Sequence, residues 1–338
     1  MSKNNFSIAF YDTRPYDRDA FTRANKKFLY NIDFFDFHLN EKTAQTAKGY
    51  KVVCAFVNDI LNKVAIKTLA DCGVELIAMR CAGFNNVDVQ AAKAHNIEVV
   101  RVPAYSPHSV AEHAAALLLA LTRKIPQAYL RTRSGNFTLN GLTGRDLYRL
   151  TAGIIGTGRI GRVMADILAG FGMKIVLSDV YPNKEWAKEK GYAYVPLEEF
   201  FKRADVISLH CPLTEQTKHI INAKSLALMK KDAVIINTGR GALIDSTALV
   251  HALKNDRIGG AALDVYEEES KYFFEDWSIN VIRDDVLSRL MTFPNVIITA
   301  HQAFLTTNAL SAIAHTSLCN VRDFMKGNKL KNKVVLEA

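Results

Sequence analysis

The sequence predicts an α/β chain carrying two parallel sheets, and three observations predict it. Short β-branched or apolar runs recur along the chain with helical segments between them. The runs fall into two series on either side of a proline-rich connection, and the second series opens with a strand, a glycine loop and a helix. Strands that alternate with helices pair in parallel, because each crossover carries the chain back over a covered face of the sheet.

The first series holds SIAFY at 7–11, KVVCAF at 51–56, ELIAMR at 75–80 and IEVV at 97–100. It ends at Val102-Pro103-Ala104-Tyr105-Ser106-Pro107, where two prolines disfavour helix, and Ser109 is expected to cap the helix that runs on from Val110. That helix is apolar nearly all round through Leu121, so burial between domains or between subunits is expected for it. The second series holds GIIG at 153–156, KIVLSD at 174–179, DVISLH at 205–210, AVIIN at 233–237, GAALDV at 260–265 and VIIT at 296–299. Asn308 to Lys326 reads as one amphipathic helix that crosses back to the first series. The expected division is therefore a discontinuous domain, 1–102 plus 301–338, and a continuous one, 103–300, with an interdomain cleft.

Composition agrees with two soluble domains: 338 residues, 49% hydrophobic and 23% charged. The opening MSKNNFSIAFYDTRP lacks a leader-like apolar stretch, and the longest apolar run, Ala114–Leu121, is well short of the roughly 20 residues that span a membrane. A cytoplasmic protein with no membrane partner is expected. Five scattered cysteines without a C-x-x-C pair argue against a disulfide framework and against a metal site. The net charge of +9 is dispersed, its densest patch lying at Lys326–Lys333, so no nucleic-acid partner is expected; small carboxylates and phosphates suit such a surface.

Gly156-Thr157-Gly158-Arg159-Ile160-Gly161 meets four conditions that separate a dinucleotide loop from a structural turn. The strand Ala152–Ile155 enters it, and a helix with an apolar stripe at Ile160, Val163, Met164, Ile167 and Leu168 leaves it. A second strand follows at crossover distance, and Asp179 ends that strand about 20 residues on. Gly156 permits the turn, Gly158 lets backbone N–H groups approach a pyrophosphate, and Gly161 lets helix and sheet pack closely. A carboxylate at Asp179 suits a free ribose diol and repels a 2′-phosphate, and no arginine follows before Arg203, so NAD is expected rather than NADP.

Hydride transfer to a carbonyl needs a proton donor and a group that polarises the oxygen. His301, directly after VIIT, lies at the carboxyl end of a strand, where open α/β sheets bind ligands. Arg240 follows AVIIN in the same way, and Asp264 and Glu269 follow GAAL. Three strand ends thus present a guanidinium, carboxylates and an imidazole; spacing alone leaves a surface salt-bridge network open as the alternative. Among the other histidines, His38, His95, His219, His251 and His315 have no evident companions and read as surface or structural, His108 has no evident partner, His113 reads as a satisfied core histidine, and His210 ends a strand beside the expected cofactor pocket.

Seven segments stand in the order of a known family: RCAGFNNVD at 80–88, VPAYSPHSVAEHA at 102–114, GIIGTGRIG, HCPLTEQTKHIIN at 210–222, VIINTGRGALID at 234–245, AALDVYEEE at 261–269 and ITAHQAFLT at 298–306. The chain resembles the D-isomer-specific 2-hydroxyacid dehydrogenases over nearly its whole length. AALDVYEEE and the HQAFLT ending look most like the fermentative D-lactate branch. The resemblance implies two Rossmann-like or flavodoxin-like domains, 103–300 binding NAD and 1–102 plus 301–338 binding substrate, and reversible reduction of pyruvate to D-lactate with NADH. It implies His301 as the acid and base, Glu269 as its hydrogen-bond partner, and Arg240 on the substrate carboxylate and carbonyl. It assigns the Ala82 and Gly83 N–H groups to the carboxylate, and Tyr105 to the border of the substrate pocket. On the cofactor, it implies Arg159 and Ile160 at the pyrophosphate, Asp179 at the ribose, Cys211, Pro212 and Thr217 on the adenine side, and Thr238, Gly239 and Asp264 at the nicotinamide. It also implies a homo-oligomer, a dimer or a tetramer. Two rivals stand beside this reading: an enzyme for a bulkier 2-keto acid, and a non-enzymatic NAD-sensing protein resembling the family's corepressor branch.

Overall fold

The structure, a computed structural model, describes residues 7–335. Met1–Phe6, the start of the MSKNNFSIAFYDTRP stretch in which no leader is expected, and the last three residues lie outside the described residues. The chain divides into two compact units, Met1–Ser106 with Leu305–Ala338, and Pro107–Phe304.

The first unit is a five-stranded parallel sheet of β1 (Ser7–Phe10), β2 (Asn31–Phe34), β3 (Val52–Ala55), β4 (Leu76–Met79) and β5 (Glu98–Val100) in the order β2-β1-β3-β4-β5. Every residue of β3 and β4 is buried, which explains why these strands read as unbroken apolar runs. The helix Thr307–Met325 belongs to this unit. Thr306 Oγ1 accepts from the Ala309 N–H at 3.2 Å, and the buried stripe Leu310, Ile313, Ala314, Ser317, Leu318 and Val321 has helical spacing. Beyond it the chain returns to the sheet edge, where Val334 N–H donates to Val99 O at 2.8 Å.

The second unit is a seven-stranded parallel sheet of β6 (Thr151–Ile155), β7 (Lys174–Ser178), β8 (Ala193–Tyr194), β9 (Val206–Leu209), β10 (Val234–Asn237), β11 (Gly260–Leu263) and β12 (Val296–Ile298). Its order, β12-β11-β10-β9-β6-β7-β8, reverses direction between β6 and β9, the topological switch point where doubly wound sheets take ligands. Apolar layers cover both faces, one built on Phe200, Leu226, Leu249 and Leu287, the other on Leu118, Met164 and Leu168.

Three details differ from the sequence expectation. The helix expected from Val110 starts at Pro107, because proline fits a first helical turn, so Ser109 lies within the helix and not at its cap. Its buried face, including Leu117, Leu118 and Leu121, packs into the core of the second unit itself. The second unit also ends later than residue 300: His301 N–H donates to Asp264 O at 2.7 Å, and Ala303 N–H to the Asp264 carboxylate at 2.8 Å, which ties this turn to β11.

Candidate active site

The glycine loop leaves β6 at the switch point. Gly156 has φ +90°, and a Cβ there would lie 2.3 Å from Cys211 N; a Cβ on Gly161 would lie 1.9 Å from Gly156 O. Those two glycines are required by the protein's own packing. A Cβ on Gly158, by contrast, would meet nothing within 4 Å, and Gly158 caps the helix Arg159–Gly170 without any side-chain bond to the first-turn N–H groups. Arg159 is exposed and Ile160 half-buried. An open cradle lined by unsatisfied N–H groups at the positive end of a helix fits a phosphate. Thr238, at the end of β10, adds a buried Oγ1 that has no hydrogen-bond partner among the described residues. These features fit a dinucleotide lying along the strand ends.

Asp179 follows β7. Its Oδ2 accepts from Thr157 N–H at 2.5 Å and from Thr157 Oγ1–H at 2.8 Å, and its Oδ1 accepts from Tyr181 N–H at 2.8 Å. In the loop after β9, Cys211 packs under Gly156, and burial pushes its thiol up to about 11, which makes it inert. Pro212 is exposed and is held by its carbonyl, which accepts from Thr217 Oγ1–H at 2.7 Å. His210, at the end of β9, is hydrogen-bonded to Ser208 Oγ at 2.8 Å, and enclosure of its ring pulls it down to about 4.

Arg240, Asp264, Glu269 and His301 follow the ends of β10, β11 and β12 in this same unit. Arg240 extends from a turn in which Asn237 Nδ2–H donates to Arg240 O at 2.9 Å, and its own Nη1 donates to Gly239 O at 2.8 Å. His301 Nδ1 lies 2.9 Å from Glu269 Oε1, both side chains about a quarter exposed, and Glu269 Oε2 accepts from Tyr266 N–H at 2.9 Å. The second carboxylate oxygen is thus anchored to the backbone while the first orients the ring, which leaves Nε2 as the ring nitrogen free of Glu269. His301 adopts φ +50°, a left-handed conformation unusual for a residue with a side chain, and the Phe274 ring lies 5.8 Å from the imidazole.

Asp264 holds that conformation. Fully buried, it accepts from Thr299 Oγ1–H at 2.5 Å and Gln302 N–H at 2.9 Å on Oδ1, and from Ala303 N–H at 2.8 Å on Oδ2. His113 Nε2 lies 3.3 Å from the same Oδ1 and 3.2 Å from Thr299 Oγ1. Burial acts to raise the Asp264 carboxyl, but the hydrogen bonds from His113, Thr299, Ala303 and Gln302 outweigh it and hold it below the usual range. His113 is therefore the satisfied histidine expected, and its partners are the residues that brace the His301 turn.

The sequence reading passed over other histidine–carboxylate contacts: His38 Nδ1 lies 3.4 Å from Asp12 Oδ1, and His219 meets Glu267. His219 Nε2 lies 2.5 Å from Glu267 Oε1, so His219 does have a companion, which a separation of 48 positions in sequence conceals. The His219–Glu267 pair ties the loop after β9 to the loop after β11.

In the first unit, the Cys81–Phe84 loop follows β4. Arg101 Nη1 donates to Ala82 O at 2.9 Å and its guanidinium lies over the Phe84 ring at 5.2 Å, while Gly83 O accepts from Cys81 Sγ–H at 3.2 Å. Both carbonyls are thus turned to the protein. Ala82, Gly83 and Tyr105 are half-buried.

Residues 115–303 match the sequence model described as the D-isomer specific 2-hydroxyacid dehydrogenase, NAD binding domain. A D-lactate dehydrogenase of Escherichia coli is 50% identical over 328 residues, 97% of this chain and 99% of that protein. Among solved structures, the apo form of D-lactate dehydrogenase from Escherichia coli superposes with a TM-score of 0.90 at 48% identity, covering 98% of this chain and 100% of that one. The pyruvate reductase of Chlamydomonas reinhardtii gives a TM-score of 0.94 at 41% identity, covering 98% and 99%. The chain belongs to the D-isomer-specific 2-hydroxyacid dehydrogenase family.

Proposed function

We propose that this protein is an NAD-dependent D-lactate dehydrogenase that reduces pyruvate reversibly to D-lactate. The observation that carries the reading is the His301–Glu269 pair at the strand ends beside the glycine loop's sheet, in a chain half identical to a D-lactate dehydrogenase. Dihydronicotinamide, when bound, supplies the hydride that C2 of the keto acid receives. His301 gives the proton on Nε2 to the ketone oxygen, and Glu269 stabilises the imidazolium before transfer and fixes the tautomer after it. Arg240 offers a planar two-pronged donor to the substrate carboxylate and polarises the carbonyl. For Ala82, Gly83 and Tyr105, in the first unit, contact with substrate is what the family resemblance implies. Arg159 and Ile160 meet the pyrophosphate in the loop that Gly156, Gly158 and Gly161 shape, with Asp179 at the ribose, Cys211, Pro212 and Thr217 on the adenine side, and Thr238 and Gly239 at the nicotinamide. Asp264 acts at the nicotinamide border mainly by bracing the His301 turn, because its oxygens are already engaged.

A homo-oligomer goes with this reading: Ile125, Leu130, Phe137 and Leu139 are each more than half exposed on one stretch of the second unit, and apolar side chains gathered in this way suit a protein–protein contact. So does a cytoplasmic setting, since all five thiols are free.

The test is a series of initial rates with NADH and 2-keto acids of increasing side chain. The highest kcat/KM is expected with pyruvate. A maximum at 2-ketoisocaproate or phenylpyruvate would keep the mechanism and reject the substrate.

A further inference from the structure

We propose that Thr157 and Tyr194 are positioning residues that set the NADH over NADPH preference by fixing the carboxylate of Asp179; the inference rests on the reading of Asp179 as the ribose ligand. A directional chain of hydrogen bonds runs into that carboxylate. Asn183 N–H donates to Tyr194 Oη at 3.0 Å, Tyr194 Oη lies 2.7 Å from Thr157 Oγ1, and Thr157 Oγ1 lies 2.8 Å from Asp179 Oδ2. A carboxylate only accepts, so the threonine hydroxyl donates to Asp179 and the tyrosine hydroxyl donates to the threonine. The backbone of Thr157 is clamped as well: its N–H donates to the same Oδ2 at 2.5 Å, and its carbonyl accepts from Arg162 Nε–H at 2.8 Å. Thr157 is 3% exposed, so water does not replace these partners.

The count of acceptor sites gives this arrangement its consequence. A carboxylate offers about four lone-pair sites. Thr157 fills both on Oδ2, and Tyr181 N–H takes one on Oδ1. The strong acceptor position left is on Oδ1, held in a fixed direction for a ribose hydroxyl. The side-chain torsion of an aspartate is soft, so without the threonine hydroxyl the carboxylate, held only by the Thr157 and Tyr181 N–H groups, can tilt away from the ribose direction. NADH then loses an aligned hydrogen bond, while a 2′-phosphate no longer meets a negative charge pinned in its path. Loss of the anchor therefore weakens NADH and spares NADPH, whereas a general loosening of the loop weakens both.

The test is the dissociation constant of NADH and of NADPH, read from nicotinamide fluorescence, for Thr157→Val, Thr157→Ser, Tyr194→Phe and Asp179→Ala. Thr157→Val is expected to raise the NADH constant about tenfold and leave NADPH within about twofold, narrowing the preference by about an order of magnitude. Thr157→Ser retains the wild-type ratio, and Tyr194→Phe narrows it less than Thr157→Val does. Equal weakening of both cofactors in Thr157→Val, or an unchanged ratio while Asp179→Ala loses NADH, would overturn the positioning role alone. Unchanged NADH binding in Asp179→Ala would overturn the ribose assignment and the inference with it.

Discussion

His301 takes a left-handed backbone conformation, and its neighbours hold it there. A histidine at φ +50° costs about a kcal/mol or more, and the turn is retained by four groups that converge on buried Asp264. His301→Ala should lower kcat by roughly 10²–10⁴-fold while NADH binding, read by fluorescence, stays within about threefold. Near-normal turnover in that variant would remove the proton-donor role. The sequence made His301, Glu269 and Arg240 legible because each follows a strand end within a few residues. It did not make the His219–Glu267 pair legible, since the partners are brought together only by the meeting of two loops. Nor did it reveal that Asp264 is fully buried, because an aspartate after a strand reads the same whether it faces a ligand or braces a turn.

At the scale of elements, the ten strands marked by apolar runs are all present, and two further strands, β2 and β8, are not marked in that way. β8 has only two residues and β2 is half-exposed, and both lie at sheet edges, where no apolar run is needed because one side faces water. The end of β9 carries a pH consequence. The His210 ring is pulled down to about 4 by its enclosure, below its unfolded value of about 6.5. The unfolded chain therefore binds the proton first as pH falls, so this contribution to stability is complete above about pH 6.5 and is lost progressively toward pH 4. Urea unfolding at pH 7.5 and pH 5 should show a loss of about 2 kcal/mol from this residue that His210→Gln removes. An identical pH dependence in the variant would mean that His210 is free to ionise in the folded protein.

Over the whole molecule, the two sheet orders are the two common ways to wind a parallel sheet, 2-1-3-4-5 in the first unit and a 3-2-1-4-5-6-like order in the second. Alternating strands and helices announced both sheets, but periodicity carries no record of which strands neighbour each other, so the orders had to come from the structure. The dispersed positive charge fits an enzyme that handles carboxylates and phosphates, and the candidate residues lie in short segments at strand ends that the fold presents. Stereospecific reduction of pyruvate is tested by NADH oxidation with pyruvate followed by chiral analysis of the product. Rapid turnover yielding D-lactate alone is the predicted result; L-lactate, a racemic product, or tight NADH binding without turnover on any 2-keto acid would contradict it.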